Sequence, residues 1–184
     1  FVPTDTTNYN TITAQSAGNF VIDKANQTAV TLAGPASATF LTTPTLTIGG
    51  GSGTGAVTFD VGASTGCTVS GNTLTVVSVS GTCDVTATKA ADTNYNVASS
   101  AATAVTLVKA TPTVTLAVNN SPVTYDATAK SATVAQSGAS TPGAVANILT
   151  GGAADQTTAG TYAVTANFVP TDTTNYNTIT AQSA

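Results

Sequence analysis

Tandem antiparallel β-sandwich domains, set end to end in an all-β chain, are what the sequence predicts, on three observations. Thr makes up about a fifth of the 184 residues, and Thr and Val favour a pleated, half-buried surface. Short runs alternate apolar residues with Thr, Ser or Asp, and Gly- or Asn-containing turns interrupt them. Residues 168–184, FVPTDTTNYNTITAQSA, repeat residues 1–17 letter for letter, so the chain is a window of a tandem array whose period, from Phe1 to Phe168, is 167 residues.

An older repeat lies inside that period. Sliding the chain by 85 residues places Lys24-Ala25 on Lys109-Ala110 and Phe40 on Tyr125. Further along, Gly81-Thr82-Cys83 matches Gly160-Thr161-Tyr162, and both copies then reach an Asp followed by Asn-Tyr-Asn: Asp92 with Asn94-Tyr95-Asn96, and Asp172 with Asn175-Tyr176-Asn177. Three segments follow. Residues 1–23 are the closing part of a preceding domain, 24–108 form one domain, and 109–184 form a second whose closing strand the next repeat supplies.

Within 24–108 the expected strands run over 28–33, 45–48, 56–61, 67–70, 73–77, 83–88 and 101–108. The first two are short, and the glycine run 49–55 follows the second. The third sets Val57, Phe59 and Val61 against Thr58 and Asp60, a period of two with one buried face. The fourth and fifth flank Ser70-Gly71-Asn72, a turn in which Gly and Asn supply the special backbone angles. The sixth alternates Val85 and Ala87 with Asp84, Thr86 and Thr88, and the seventh, rich in Ala and Val, closes the domain. Strands this short, with turns every eight to twelve residues, favour two packed sheets over a solenoid. A domain of about 85 residues buries roughly 60% of its unfolded surface, which leaves it marginal without help.

Cys67 and Cys83 can supply that help. A bridge between them closes a loop of about 17 residues, which the chain-entropy model values at about 3 kcal/mol. Were the strands 67–70, 73–77 and 83–88 a simple meander, the two cysteines would stand about 9.5 Å apart, beyond disulfide reach. A bridge therefore requires the chain to change sheets after residue 77. A disulfide also implies an oxidising, extracellular setting. In the second domain Tyr162 replaces Cys83, as a buried ring whose hydroxyl bonds nearby backbone or as an ordinary core aromatic. Tyr95, Tyr176, Phe40 and Tyr125 are expected as further buried anchors, since they occupy strand or repeated-motif positions.

At these residues a family resemblance emerges. The second domain carries Tyr125-Asp126-Ala127-Thr128-Ala129-Lys130, then Ala159-Gly160-Thr161-Tyr162-Ala163-Val164, then the Asp172 segment. Together they resemble the bacterial immunoglobulin-like repeats of the MBG or YDG type, which occur in tandem in very large secreted surface adhesins. The first domain resembles the companion repeat that alternates with them, through Gly50-Gly51-Ser52-Gly53-Thr54-Gly55 and Gly81-Thr82-Cys83. The resemblance implies an immunoglobulin-like sandwich used as an extracellular spacer, with no catalytic residues, and it likens Tyr162 to the tyrosine corner of such sandwiches. Ala127 stands where the family has Gly, and Ala disfavours positive φ.

Composition narrows function further. The chain has no His, Glu, Arg, Met or Trp, and its charges are eight Asp and four Lys, net −4. Abundant hydroxyls thus lack an ordinary base, which argues against hydrolytic or transfer chemistry. The absence of a basic cluster argues against nucleic acid, and no apolar run reaches the roughly 20 residues of a membrane helix. The run 49–55 lacks the Gly-Lys-Ser/Thr ending of a phosphate loop and reads as an inter-strand loop. Asp5, Asp92 and Asp172 offer oxygen to calcium or, as we favour, close turns through backbone bonds. No cofactor is expected. The expected partners are neighbouring copies of the same repeat, in the same chain or in adjacent chains of a filament. A structural fibre, a filament joined by strand complementation, and a glycan- or protein-binding adhesion module are the three functions to weigh.

Overall fold

The computed structural model describes residues 1–184 and is all-β, with fifteen strands and no helix. Ten strands lie before residue 109: β1 (Thr31–Ala33), β2 (Ser37–Thr39), β3 (Thr47–Gly49), β4 (Val57–Asp60), β5 (Cys67–Ser70), β6 (Thr73–Val76), β7 (Asp84–Lys89), β8 (Ala98–Ser99), β9 (Thr103–Ala104) and β10 (Thr106–Val108). Five follow: β11 (Thr115–Val118), β12 (Val134–Ser137), β13 (Gly143–Thr150), β14 (Val164–Pro170) and β15 (Ile179–Ser183). Every ladder joins strands of the same half. The strands form several small sheets rather than two large ones, and β10 pairs with β2 in parallel, not antiparallel.

Each of the first six runs expected in the first half overlaps one strand, with β3 and β7 ending one residue beyond theirs. The seventh, 101–108, is divided: β9 pairs with β7, Val105 donates its N–H to the Cys83 carbonyl at 2.8 Å, and β10 then crosses to β2. The strand β2 is Ser-Ala-Thr, too weakly patterned to be legible by itself; the β10 ladder defines it. Around these crossings Leu46, Leu74, Val76, Val85 and Val105 make one buried cluster with both cysteines.

The Cys67–Cys83 disulfide is present, with Cα atoms 5.5 Å apart. β5 and β6 form a hairpin, whereas β7 lies in another sheet with β4 and β8, so the chain does change sheets between β6 and Cys83. Only 19 of 184 residues are buried, and with so thin a core a covalent brace carries a large share of local stability. In the second half, β14 is the central strand between β13 and β15, and its Phe168 is fully buried. Gly143 of β13 faces that ring, where any Cβ would collide with it.

Two identical sequences in one chain show what local sequence alone dictates. In 168–184 the segment supplies the end of β14 and all of β15, with Phe168 opposite Ile179. In 1–17 no strand forms, yet Phe1 and Ile12, the same two residues one period earlier, exchange backbone bonds of 3.0 and 3.1 Å. Ala14 and Ala181 both take φ 51°. Turn and register are therefore local, whereas the strands require their ladder partners, β13 for β14 and the 165–166 part of β14 for β15.

Candidate functional site

The chemistry that recurs in this chain is a clamp built from an Asp and the Asn-Tyr-Asn that follows it. A carboxylate two or three residues before free N–H groups closes an Asx turn. Asp92 accepts the amides of Asn94 and Tyr95 at 2.9 and 2.8 Å, and that of Thr54, from the glycine run, at 2.6 Å. Asp172 accepts the amides of Thr174 and Asn175 at 3.1 Å each and the Asn175 side-chain amide at 2.8 Å. Asp5 makes the same three contacts to Thr7 and Asn8. The Thr54 amide, first among these donors, holds the Asp92 carboxyl down at about 2, and the Asn175 and Asn8 side chains lower Asp172 and Asp5. Each carboxylate is thereby committed to its own turn, and that of Asp92 also to the glycine run.

The turn presents its tyrosine strand to the start of the same half. Ala25 pairs in parallel with Tyr95, through Ala25 N–H to the Asn94 carbonyl and Asn96 N–H to the Ala25 carbonyl, both 2.9 Å. The second half repeats this with Ala110 and Tyr176, again at 2.9 Å, and Lys109 Nζ donates to the Thr173 carbonyl at 2.6 Å. The lysines at 24 and 109 thus mark where the clamp grips the entering chain.

At the second clamp the tyrosine also reaches across the boundary at residue 108. The Tyr176 ring meets Phe40 edge-on, with centroids 5.4 Å apart and planes at 84°, a favoured aromatic geometry. Beside it the Asn175 side-chain oxygen accepts the Val79 amide at 2.9 Å. Of the expected anchors, Phe40 and Tyr176 meet each other and are half-buried; Tyr95 is half-buried beside Gly53. Val79 and Asn175 were not legible as partners, although Asn-Tyr-Asn occurring three times was the signal that this turn has work beyond its own loop.

Tyr162 is half-buried, and its hydroxyl donates to the Thr158 carbonyl four residues upstream at 3.0 Å while pairing with the Thr158 hydroxyl at 2.7 Å. Tyr125 departs from expectation. It is 62% exposed, in a stretch between β11 and β12 that has no strand to cover it. Phe1, Tyr9 and Phe20 are exposed as well. Tyr125, Thr158 and Tyr162 line a cavity of about 440 Å³. Close by, Asp126 caps a turn by accepting from Thr128 and pairs with Lys130 at 2.6 Å; Lys130 is the main reason its carboxyl lies at about 2. Ala127 takes φ 63° in this turn despite its side chain.

No protein-family model, curated protein or solved structure matches the chain.

Proposed function

We infer that the chain is a non-catalytic structural repeat that forms the rod of an extracellular fibre or surface-adhesin stalk. The observation that carries this is the junction at residue 108. There, a repeat-encoded turn of one half clasps both its own first residues and the preceding half through Phe40–Tyr176 and Val79–Asn175. A linker as short as Val108-Lys109-Ala110, clasped on both sides, passes orientation from one unit to the next. The identical 17-residue ends extend that relation along an array, which supplies length rather than a unique pocket. The disulfide and the resemblance to MBG- or YDG-type repeats support an extracellular setting, and the carboxylates of the clamps are engaged in turns. The partners under this proposal are neighbouring copies of the same repeat.

Electron microscopy of chains carrying one, two and three 167-residue periods tests it. Rods whose length grows by a constant step per period are expected; collapsed particles or beads of random spacing would remove the spacer function.

A further inference from the structure

Each half of the chain carries two sets of groups that its repeat-counterpart also carries. One is the clamp, Asn94 and Tyr95 in the first half and Asn175 and Tyr176 in the second. The other is an aromatic ring together with a backbone amide four residues before the Cys83 or Tyr162 position: Phe40 and Val79 in the first half, Tyr125 and Thr158 in the second. At residue 108 the clamp of the second half meets the ring and amide of the first, Tyr176 on Phe40 and Asn175 on Val79. The clamp of the first half and the ring and amide of the second have no such contact. Asn94 bonds only through its backbone, whereas the Asn175 side chain donates to Asp172 and accepts from Val79. Thr158 engages Tyr162 through its carbonyl and hydroxyl and leaves its amide without an acceptor. Tyr125 is 62% exposed, while Phe40, its counterpart, is half-buried.

We propose that, along the array, Tyr125 and Thr158 of one repeat meet Tyr95 and Asn94 of the next, in a second junction on the plan of the one at residue 108. The Tyr95 ring stands edge-on to Tyr125, and the Asn94 side-chain oxygen accepts the Thr158 amide. Backbone register supports this. Asn94 and Asn96 bracket Ala25 through the same two bonds, 2.9 Å each, by which Asn175 and Asn177 bracket Ala110. Asn94 and Tyr95 therefore leave the strand as Asn175 and Tyr176 do, even though Asp92 precedes its Asn by two residues and Asp172 by three. The shorter turn leaves Asn94 free: Asp92 turns its second oxygen to Thr54, where Asp172 keeps its own on the Asn175 side chain. On the opposing surface, Tyr125 and Thr158 line one cavity, as Phe40 and Val79 flank one core, so ring and amide lie together in both halves. The connections match in length, Asp23-Lys24-Ala25 against Val108-Lys109-Ala110. Tyr125 in place of Phe40 keeps an aromatic ring, so edge-on packing is retained. Because the two halves alternate and Phe40 and Val79 already meet the second clamp, Tyr125 and Thr158 are what the first clamp encounters. The assignment rests on the array proposed above and gives both of its alternating junctions a clasp.

Amide hydrogen exchange followed by NMR tests it, on the 184-residue chain and on the same chain with residues 18–108 appended after Ala184, which continues the array through one whole first-half unit. Thr158 occurs once in both. Its exchange is expected to slow by about tenfold in the extended chain, and Asn94→Ala in the appended unit should restore the rate of the 184-residue chain. Asn94→Ala in the 184-residue chain is the folding control, and its Tm should not move, because that side chain has no partner there. A Thr158 amide that exchanges equally fast in both chains, or that stays slow after Asn94→Ala, would overturn the proposal. The Val79 amide of the first unit, bonded to Asn175 of the same chain, separates this from the rod itself. If Val79 is slow while Thr158 is fast, the clasp at residue 108 stands and the second junction falls; if both are fast, the clasp that carries the rod function falls with it.

Discussion

Three residues hold a conformation that ordinary side chains resist or a charge that their surroundings tune. Ala127 sits at φ 63°, a left-handed position that costs a residue with a Cβ about 1–2 kcal/mol. Ala127→Gly removes that cost but gives the unfolded chain more freedom, so a net gain of about 0.5–1 kcal/mol is expected in urea unfolding. Asp92 and Asp126 are both held near 2 by hydrogen bonds made in the folded chain, Asp92 chiefly by the Thr54 amide and Asp126 chiefly by Lys130. Folded pKa values below the ordinary carboxylate value of 3.8 mean that the unfolded chain binds more protons between about pH 4 and pH 2. Stability from these groups is therefore full above the unfolded pKa and is lost as pH falls through that window. A Tm that is flat above pH 5 and declines below pH 4 is the expected profile, with a shallower acid decline in Asp92→Asn.

Elements show which parts of the fold the sequence could reveal. The β5–β6 hairpin sits within the expected 67–77 because Ser70-Gly71-Asn72 and strict alternation define it locally. The passage of the chain to another sheet before β7 was legible from the two cysteines alone, since a meander would have kept them apart. Reducing that bridge is expected to cost about 3 kcal/mol and to lower Tm accordingly, read by calorimetry with and without reductant. What stayed illegible was pairing between distant segments: β2 exists because β10 reaches it, and 101–108 divides because β7 and β2 both claim it. The candidate site was half legible. Asp92 and Asp172 read as turn-closers from spacing, but the Phe40–Tyr176 contact depends on how two halves meet. The duplicated segment isolates this effect of context. Phe168→Ala should cost about 3–5 kcal/mol, because its ring is fully buried. The same change at Phe1, 84% exposed, should stay within about 0.5 kcal/mol.

On the scale of the whole molecule, a sequence with so few charges and so thin a core gains order from repetition. Each clamp fastens the beginning of a half to its own penultimate turn, and the second clamp adds a ring and an amide contact to the half before it. Tyr176→Ala should loosen the junction without unfolding either half, widening the distance distribution between spin labels placed one in each half. A T-shaped aromatic pair contributes only about 0.5–1.5 kcal/mol, so the loss is one of orientation more than of stability. The central claim, that two alternating units form a mechanical rod, is tested most directly by pulling single molecules of several 167-residue periods under an atomic force microscope. Unfolding should give contour-length steps in two alternating classes. Reductant should lengthen only one class, by roughly 50 Å, the span of the 16-residue separation that the Cys67–Cys83 bridge withholds. A featureless extension, or a single class of step indifferent to reductant, would contradict it.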